Sequence, residues 1–124
     1  MSATERRKGA DGERDFFQRL SLLTGVELKR NLHQAREGGS DSPDHELFAG
    51  IYLEIRNRST VFPDLWFNEV RKKADEQWPV LAWKVPRKGW KVRTIVNIDG
   101  EEYQVDIRLE EFANFLTKGF ICTR

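Results

Sequence analysis

Cysteine is almost missing from this chain. Cys122 is the single one in 124 residues, which excludes an internal disulfide and any multi-cysteine zinc site and points to a reducing compartment. Histidine is scarce too: His33 and His45 have no cysteine partner at metal-ligand spacing, and surface or packing roles are expected for them. Long apolar runs are lacking, so no transmembrane segment is expected. The opening residues Met1 to Lys8 carry no apolar stretch of the secretory type, so no signal peptide is expected. An excess of one charge is also missing. Lys plus Arg is 21 against 20 Asp plus Glu, a net charge of +1, which by itself argues mildly against a polyanion partner. What remains is a polar-surfaced chain of one-domain size, 39% apolar and 33% charged, large enough for a core without staples.

The charges are unevenly placed. Lys84, Arg87, Lys88, Lys91 and Arg93 follow one another without an acid, beside Trp83 and around Trp90. That mixture offers phosphate partners and stacking groups together. Asp99, Glu101, Glu102, Asp106, Glu110 and Glu111 then follow with only Arg108 among them. A balanced total thus conceals a dipolar molecule.

Residues 1–10 read as a flexible leader and 11–124 as one domain. Phe16, Phe17, Leu20 and Leu23 recur at helical spacing from about Asp11 to Thr24, with Gly25 as a stop. Val26 to Lys29 reads as a short strand, and Asn31 to Asp44 as a loop. His45 to Phe48 and Ile51 to Ile55 read as a hairpin about Ala49-Gly50. Pro63 opens a second helix carrying Trp66, Phe67, Val70 and Ala74. Three strands follow at 80–85, 90–97 and 103–107, the last two joined by Asp99-Gly100, and a short helix from Leu109 to Leu116 closes the chain.

The densest chemical signal lies between Arg30 and Arg58. Strand alternation puts Tyr52, Glu54, Arg56 and Arg58 on one face and Ile51, Leu53 and Ile55 on the other, which is the natural core face. The expected hairpin brings Asp44 back beside Glu54. Two carboxylates on adjacent strand ends suit a hard divalent cation with oxygen ligands, Mg²⁺ above all, and the Ile55 carbonyl is a candidate further ligand. Glu13 on the first helix is a candidate third carboxylate, and Arg56 a phosphate clamp.

This stretch resembles the PD-(D/E)xK nuclease superfamily, and within it the small phage and archaeal Holliday-junction resolvase group. Gly12-Glu13 looks like that family's helix-borne glutamate. Arg30-Asn31-Leu32, Gln34 and Gly38-Gly39-Ser40-Asp41 look like its basic, glycine-rich approach, and Pro43-Asp44 with Glu54-Ile55-Arg56 like its signature acids. Trp66, Pro79 to Trp83 and Lys88-Gly89-Trp90 look like its later helix and strands. The resemblance implies an α/β fold, a mixed β-sheet flanked by helices with a restriction-endonuclease-like core. It implies a magnesium- or manganese-dependent homodimer that cuts branched DNA, with no nucleotide cofactor and no membrane. A cytoplasmic setting in a phage-infected or prophage-bearing bacterial cell goes with it.

Within that resemblance the expected catalytic set is Glu13, Asp44, Glu54 and Arg56, with Asp44, Glu54 and Glu13 on the metal. Asp41 and Glu69 are additional candidates, and either Asp41 or Asp44 supplies the aspartate ligand. Arg30, Asn31, Gln34, Arg36, Arg58, Lys84, Arg87, Lys88 and Lys91 are the expected DNA contacts. Two positions depart from the pattern. Arg56 stands where the family has lysine; arginine stays charged and is a poor general base. Glu69 stands where the family generally has glutamine. Three readings follow: a junction resolvase, a repair or restriction-type endonuclease on the same fold, and a catalytically silent branched-DNA-binding protein, the last kept open by Arg56.

Overall fold

The apolar stripe of the first helix decides one face of the molecule. Phe16, Phe17 and Leu20 are buried, and Phe16 meets Trp90 edge to face with centroids 5.2 Å apart. The computed structural model describes residues 3–30 and 39–119. In it α1 (Ala3–Thr24) is followed by a 3₁₀ turn (Glu46–Phe48), β1 (Ile51–Arg56), α2 (Pro63–Ala74), β2 (Trp78–Val85), β3 (Gly89–Ile98), β4 (Glu101–Arg108) and α3 (Leu109–Lys118). The four strands form one mixed sheet in the order β1-β2-β3-β4. β1 and β2 are parallel and α2 is their crossover, while β2, β3 and β4 are antiparallel. The protein is therefore an α/β fold with a mixed sheet flanked by three helices. Among the described residues, no helix is long and apolar enough to cross a membrane.

The two sheet faces are covered differently. Thr94 and Trp78 join by an Nε1–Oγ1 hydrogen bond on the face that also holds Phe16, Trp90 and Val92, under α1 and α3. On the other face α2 lays Trp66, Phe67, Val70 and Ala74 over β1 and β2. Both faces of β1 are covered, so every residue from Ile51 to Ile55 is buried, including Tyr52 and Glu54. The expected solvent face of β1 is thus corrected: a parallel pair with a helical crossover is buried on both sides.

Other expectations change as well. Helix α1 already runs from Ala3, where a leader was expected over 1–10. Asn57 Nδ2 donates to the Lys8 carbonyl (2.9 Å), tying this first stretch to the segment after β1. The approach requires Gly12, since a Cβ there would lie 2.6 Å from Asn57 Cβ. No strand forms at 26–29. Ser21 Oγ accepts from the Leu28 N–H (2.9 Å), which pins that segment back onto α1. The 45–48/51–55 hairpin is absent too. His45 Nδ1 accepts from the Leu47 N–H (3.0 Å) and caps a 3₁₀ turn in place of a strand.

Trp83 and Trp90 are buried and so are not stacking platforms. Trp90 Nε1 donates to Asp15 (2.8 Å), and Trp83 lies under the Arg93 guanidinium. Arg93 is itself internal. It holds Asp106 with two hydrogen bonds, reaches Asp64 at 2.6 Å, and stacks over Phe67 as well.

Candidate active site at the β1 edge

The outer edge of β1 is sealed by side chains. Residues 40–42 run antiparallel to it, with the Asp41 N–H donating to the Leu53 carbonyl (2.7 Å). Ser40 Oγ accepts from the Leu53 N–H (2.8 Å) and Ser42 Oγ donates to the Ile51 carbonyl (2.7 Å). Serine hydroxyls thus stand in for ladder partners, which is how a segment without strand geometry satisfies a buried edge.

This arrangement fixes Asp41. Its Oδ2 accepts from the Ile55 N–H (2.9 Å). Burial pushes its carboxyl up to about 7; the Ile55 N–H opposes that, the charges of Glu13 and Glu54 add to it, and Arg56 opposes it. Asp41 therefore sits within the electrostatic reach of both glutamates. Asp44 does not share this position. It is exposed, beside the start of β1, about three residues further along the antiparallel run than Asp41, or roughly 10 Å at strand rise. It lines two open cavities of about 440 and 540 Å³ with Pro43 and His45. Without the hairpin, nothing returns it to Glu54.

Glu54 is only 8% exposed, and cations hold both of its oxygens. Arg56 Nη2 lies 3.1 Å from Oε2, and Lys73 Nζ lies 3.1 Å from Oε1. Tyr52 OH also donates to Oε1 at 3.4 Å. Burial and the neighbouring carboxylates raise the Tyr52 hydroxyl to about 12, so it stays a donor at any working pH. Arg56 stacks over Trp66 at 5.7 Å and approaches Glu69 at 3.9 Å. Trp66, Glu69 and Lys73 recur at helical spacing, so one stripe of α2 overhangs the polar side of β1. Glu13 is half-buried on α1 and forms an ion pair with Arg30. Its carboxyl is raised, chiefly by burial, with Arg30 working against the rise.

Lys73 and Tyr52 are site residues that sequence reasoning passed over. Tyr52 had been placed on the same β1 face as Glu54, a usable signal. Lys73 had none, being one of three adjacent cations on an exposed helix end. Among the expected DNA contacts, Arg30 is committed to Glu13 and Lys84 lies 3.7 Å from Asp15. Arg58 is partly buried after β1. Arg87 and Lys88 are exposed in the β2–β3 turn, and Lys91 is exposed on β3. Register puts Arg56, Trp83, Lys91 and Arg108 in one row across the sheet, all on the α2 face. The row ends at Arg108, a cation not among those expected. Asn31, Gln34, Arg36, His33 and Cys122 lie outside the described residues.

No family model, no curated protein and no solved structure matches this chain. Among the described residues, no group of three His, Cys, Asp or Glu side chains is arranged to hold a metal ion. What the site offers is a pair, Asp41 and Glu54, with Glu13 nearby but turned to Arg30. A carboxylate pair with solvent and a phosphate completing the shell is the way Mg²⁺ is commonly held, and the donors are hard oxygens throughout. The oxygen donors are of the type such an ion takes, and both Glu54 oxygens are here held by Arg56 and Lys73. Burial first, and the charges of Glu13 and Glu54 second, raise the Asp41 carboxyl, and a cation nearby would oppose both.

Proposed function

We propose that this protein is a metal-dependent DNA endonuclease acting on branched DNA, with Asp41 and Glu54 as the metal-holding pair. The observation that carries the reading is Asp41 itself. It is fixed on the Ile55 amide, with a carboxyl raised by burial and by two neighbouring acids. Partly buried carboxylates with raised pKa values beside cations are a functional-site signature. Its position agrees with the resolvase-like resemblance once Asp41, in place of Asp44, is taken as the aspartate.

When bound, Mg²⁺ or Mn²⁺ supplies Lewis-acid polarisation of a phosphodiester. The chain supplies the rest. Asp41 and Glu54 hold the ion, and Glu13 stands as a further carboxylate once Arg30 turns to a phosphate. Arg56 is locked between Glu54 and Trp66, and its permanent charge suits a phosphate clamp. Lys73 contributes the ammonium on Glu54 Oε1, a compact donor able to orient water in a way the planar Arg56 does not imitate. Lys91, Arg87 and Lys88 sit at the same end of the sheet and meet backbone phosphates, contacts that read charge and shape without base identity. Two cuts across a junction need two sites, so a two-fold dimer is part of the reading.

A second reading has its own support. Both Glu54 oxygens are neutralised by this chain's cations, which equally suits a protein that binds branched DNA and does not cut it. One experiment separates them: cleavage of labelled four-way, nicked and linear duplexes in Mg²⁺ and in Mn²⁺. Cutting that is confined to branched DNA supports the first reading, cutting of linear duplex supports a repair or restriction-type enzyme, and tight binding without cutting supports the silent binder.

A further inference from the structure

The sheet has a second edge, and it is built differently. β4 is the terminal strand, and among the described residues nothing pairs with its outer side. Most of its residues are exposed, with Val105 and Ile107 half-covered. Tyr103 (47% exposed) and Ile98 (57%) add apolar surface on the same face as Val105 and Ile107. A long open edge is a template for another strand.

The pattern of side chains along that edge selects its partner. Two copies related by a two-fold axis normal to the sheet pair antiparallel, and opposite residues then share a face. Centring the axis on Val105 sets Glu102 against Arg108, Tyr103 against Ile107, Gln104 against Asp106, and Val105 against itself. Every apolar residue meets an apolar one, and the acid Glu102 meets a cation. Shifting the axis to Gln104 sets Glu102 against Asp106; shifting it to Asp106 sets that acid against its own copy. Like charges directly opposite are destabilising, so both slips are disfavoured. Arg108 is 73% exposed in its local pairing with Glu111, both slips lose its pairing with Glu102, and Asp106, hydrogen-bonded by Arg93, faces the uncharged Gln104 in the Val105-centred register.

Hydrogen-bond phase agrees. Asp99 and Gly100, both at positive φ, form a two-residue turn closed by Ile98 and Glu101. In such a hairpin the closing pair exchanges its hydrogen bonds, which leaves the N–H and C=O groups of residues 102, 104 and 106 directed outward, while the Arg108 N–H donates to Glu111 Oε1 (2.9 Å). The Val105-centred register pairs Gln104 with Asp106 among them.

We propose that β4 joins β4 of a second copy of this chain, making one continuous eight-stranded sheet centred on Val105. This deepens the dimer element of the proposed nuclease reading, and its argument rests on the sheet alone. It has a geometric consequence. Glu54 lies in register with Leu81, Arg93 and Asp106, one residue from the level of the axis. The two Glu54 positions then fall on the same face of the joint sheet. Seven strand spacings part them, roughly 34 Å, which is about one turn of duplex DNA.

The test is site-specific cross-linking in the full chain carrying Cys122→Ser. Added Val105→Cys faces its own copy at a non-hydrogen-bonded pair, within disulfide reach. Gln104→Cys sits diagonal to its copy, beyond about 7 Å. The expected result is a disulfide dimer for Val105→Cys and at least tenfold less for Gln104→Cys under mild oxidation. Sedimentation of the unmodified chain as a dimer, with Val105→Asp weakening association at least tenfold while circular dichroism is unchanged, completes it. A monomeric chain, or cross-linking at 104 in preference to 105, overturns the proposal. An active monomer contradicts the dimer alone. A chain that cross-links at 105 yet cuts no DNA contradicts the nuclease reading alone.

Discussion

The two edges of this sheet carry similar residues and treat them in opposite ways. At β4, Glu101 and Glu102 are exposed on the terminal strand, and Glu101 accepts from the Tyr103 hydroxyl at 3.0 Å. At β1, Glu54 is buried on the α2 face, and Asp41 lies between two serines on the segment that closes the edge. Only at β1 is a carboxyl displaced to about 7. The difference is burial together with like charge. An acid in water expresses its own chemistry, while one enclosed beside two others invites a cation or a proton. The position of an acid in the sheet, more than its presence, separates a reactive group from a solubilising one.

The comparison can be broken in a graded series. The largest contrast is in catalysis. Glu54→Gln lowers the cleavage rate by about 10³-fold or more with DNA binding retained, whereas Glu101→Gln and Glu102→Gln leave the rate within about twofold; single-turnover cleavage measures both. Lys73→Met comes next, lowering the rate about 10²-fold, with the loss in kcat and not in KM. Lys73→Arg, which keeps the charge but not the compact ammonium, restores less than about a tenth of the rate, which a purely structural role does not produce.

Stability shows smaller contrasts. Asp41 has a carboxyl raised in the folded state above its ordinary value of 3.8. The unfolded chain therefore loses this proton first. The group's stabilising contribution is full below about pH 4 and is lost as pH rises to about 7, where it levels off. In chelator, Asp41→Asn thus stabilises the protein by an amount growing over that window to on the order of a few kcal/mol, read from urea melts at pH 5 and pH 8. The same substitution type at Glu102 changes stability by less than about 0.5 kcal/mol at either pH. Between these, Ser42→Ala removes the hydroxyl that meets the Ile51 carbonyl and costs about 1–2 kcal/mol, with no counterpart on the open β4 edge.

Much of this was legible along the chain. The stripe Phe16, Phe17, Leu20 sets α1, Pro63 starts α2, and Asp99-Gly100 closes the β3–β4 turn, because each is a local signal read at its own period. That Glu54 and Arg56 share one face of β1 was legible for the same reason. The β1 edge was not. Ser40 and Ser42 have no strand propensity and act by hydroxyl substitution for backbone partners, and the sequence alone leaves the choice between Asp41 and Asp44 open. Alternation along β1 marked a solvent face because nothing local announces that the α2 crossover will cover it. Lys73 reaches Glu54 from nineteen residues away, a contact that exists only after β1 and β2 pair in parallel.

The central claim is that Asp41, held on the Ile55 amide, is the aspartate of the site. It is tested most directly by cleavage of a labelled four-way junction in Mg²⁺ by Asp41→Asn and Asp44→Asn side by side, with binding measured in parallel. The account predicts that Asp41→Asn abolishes cutting with binding intact while Asp44→Asn cuts at nearly the parent rate. Cutting that survives Asp41→Asn and is lost in Asp44→Asn contradicts it.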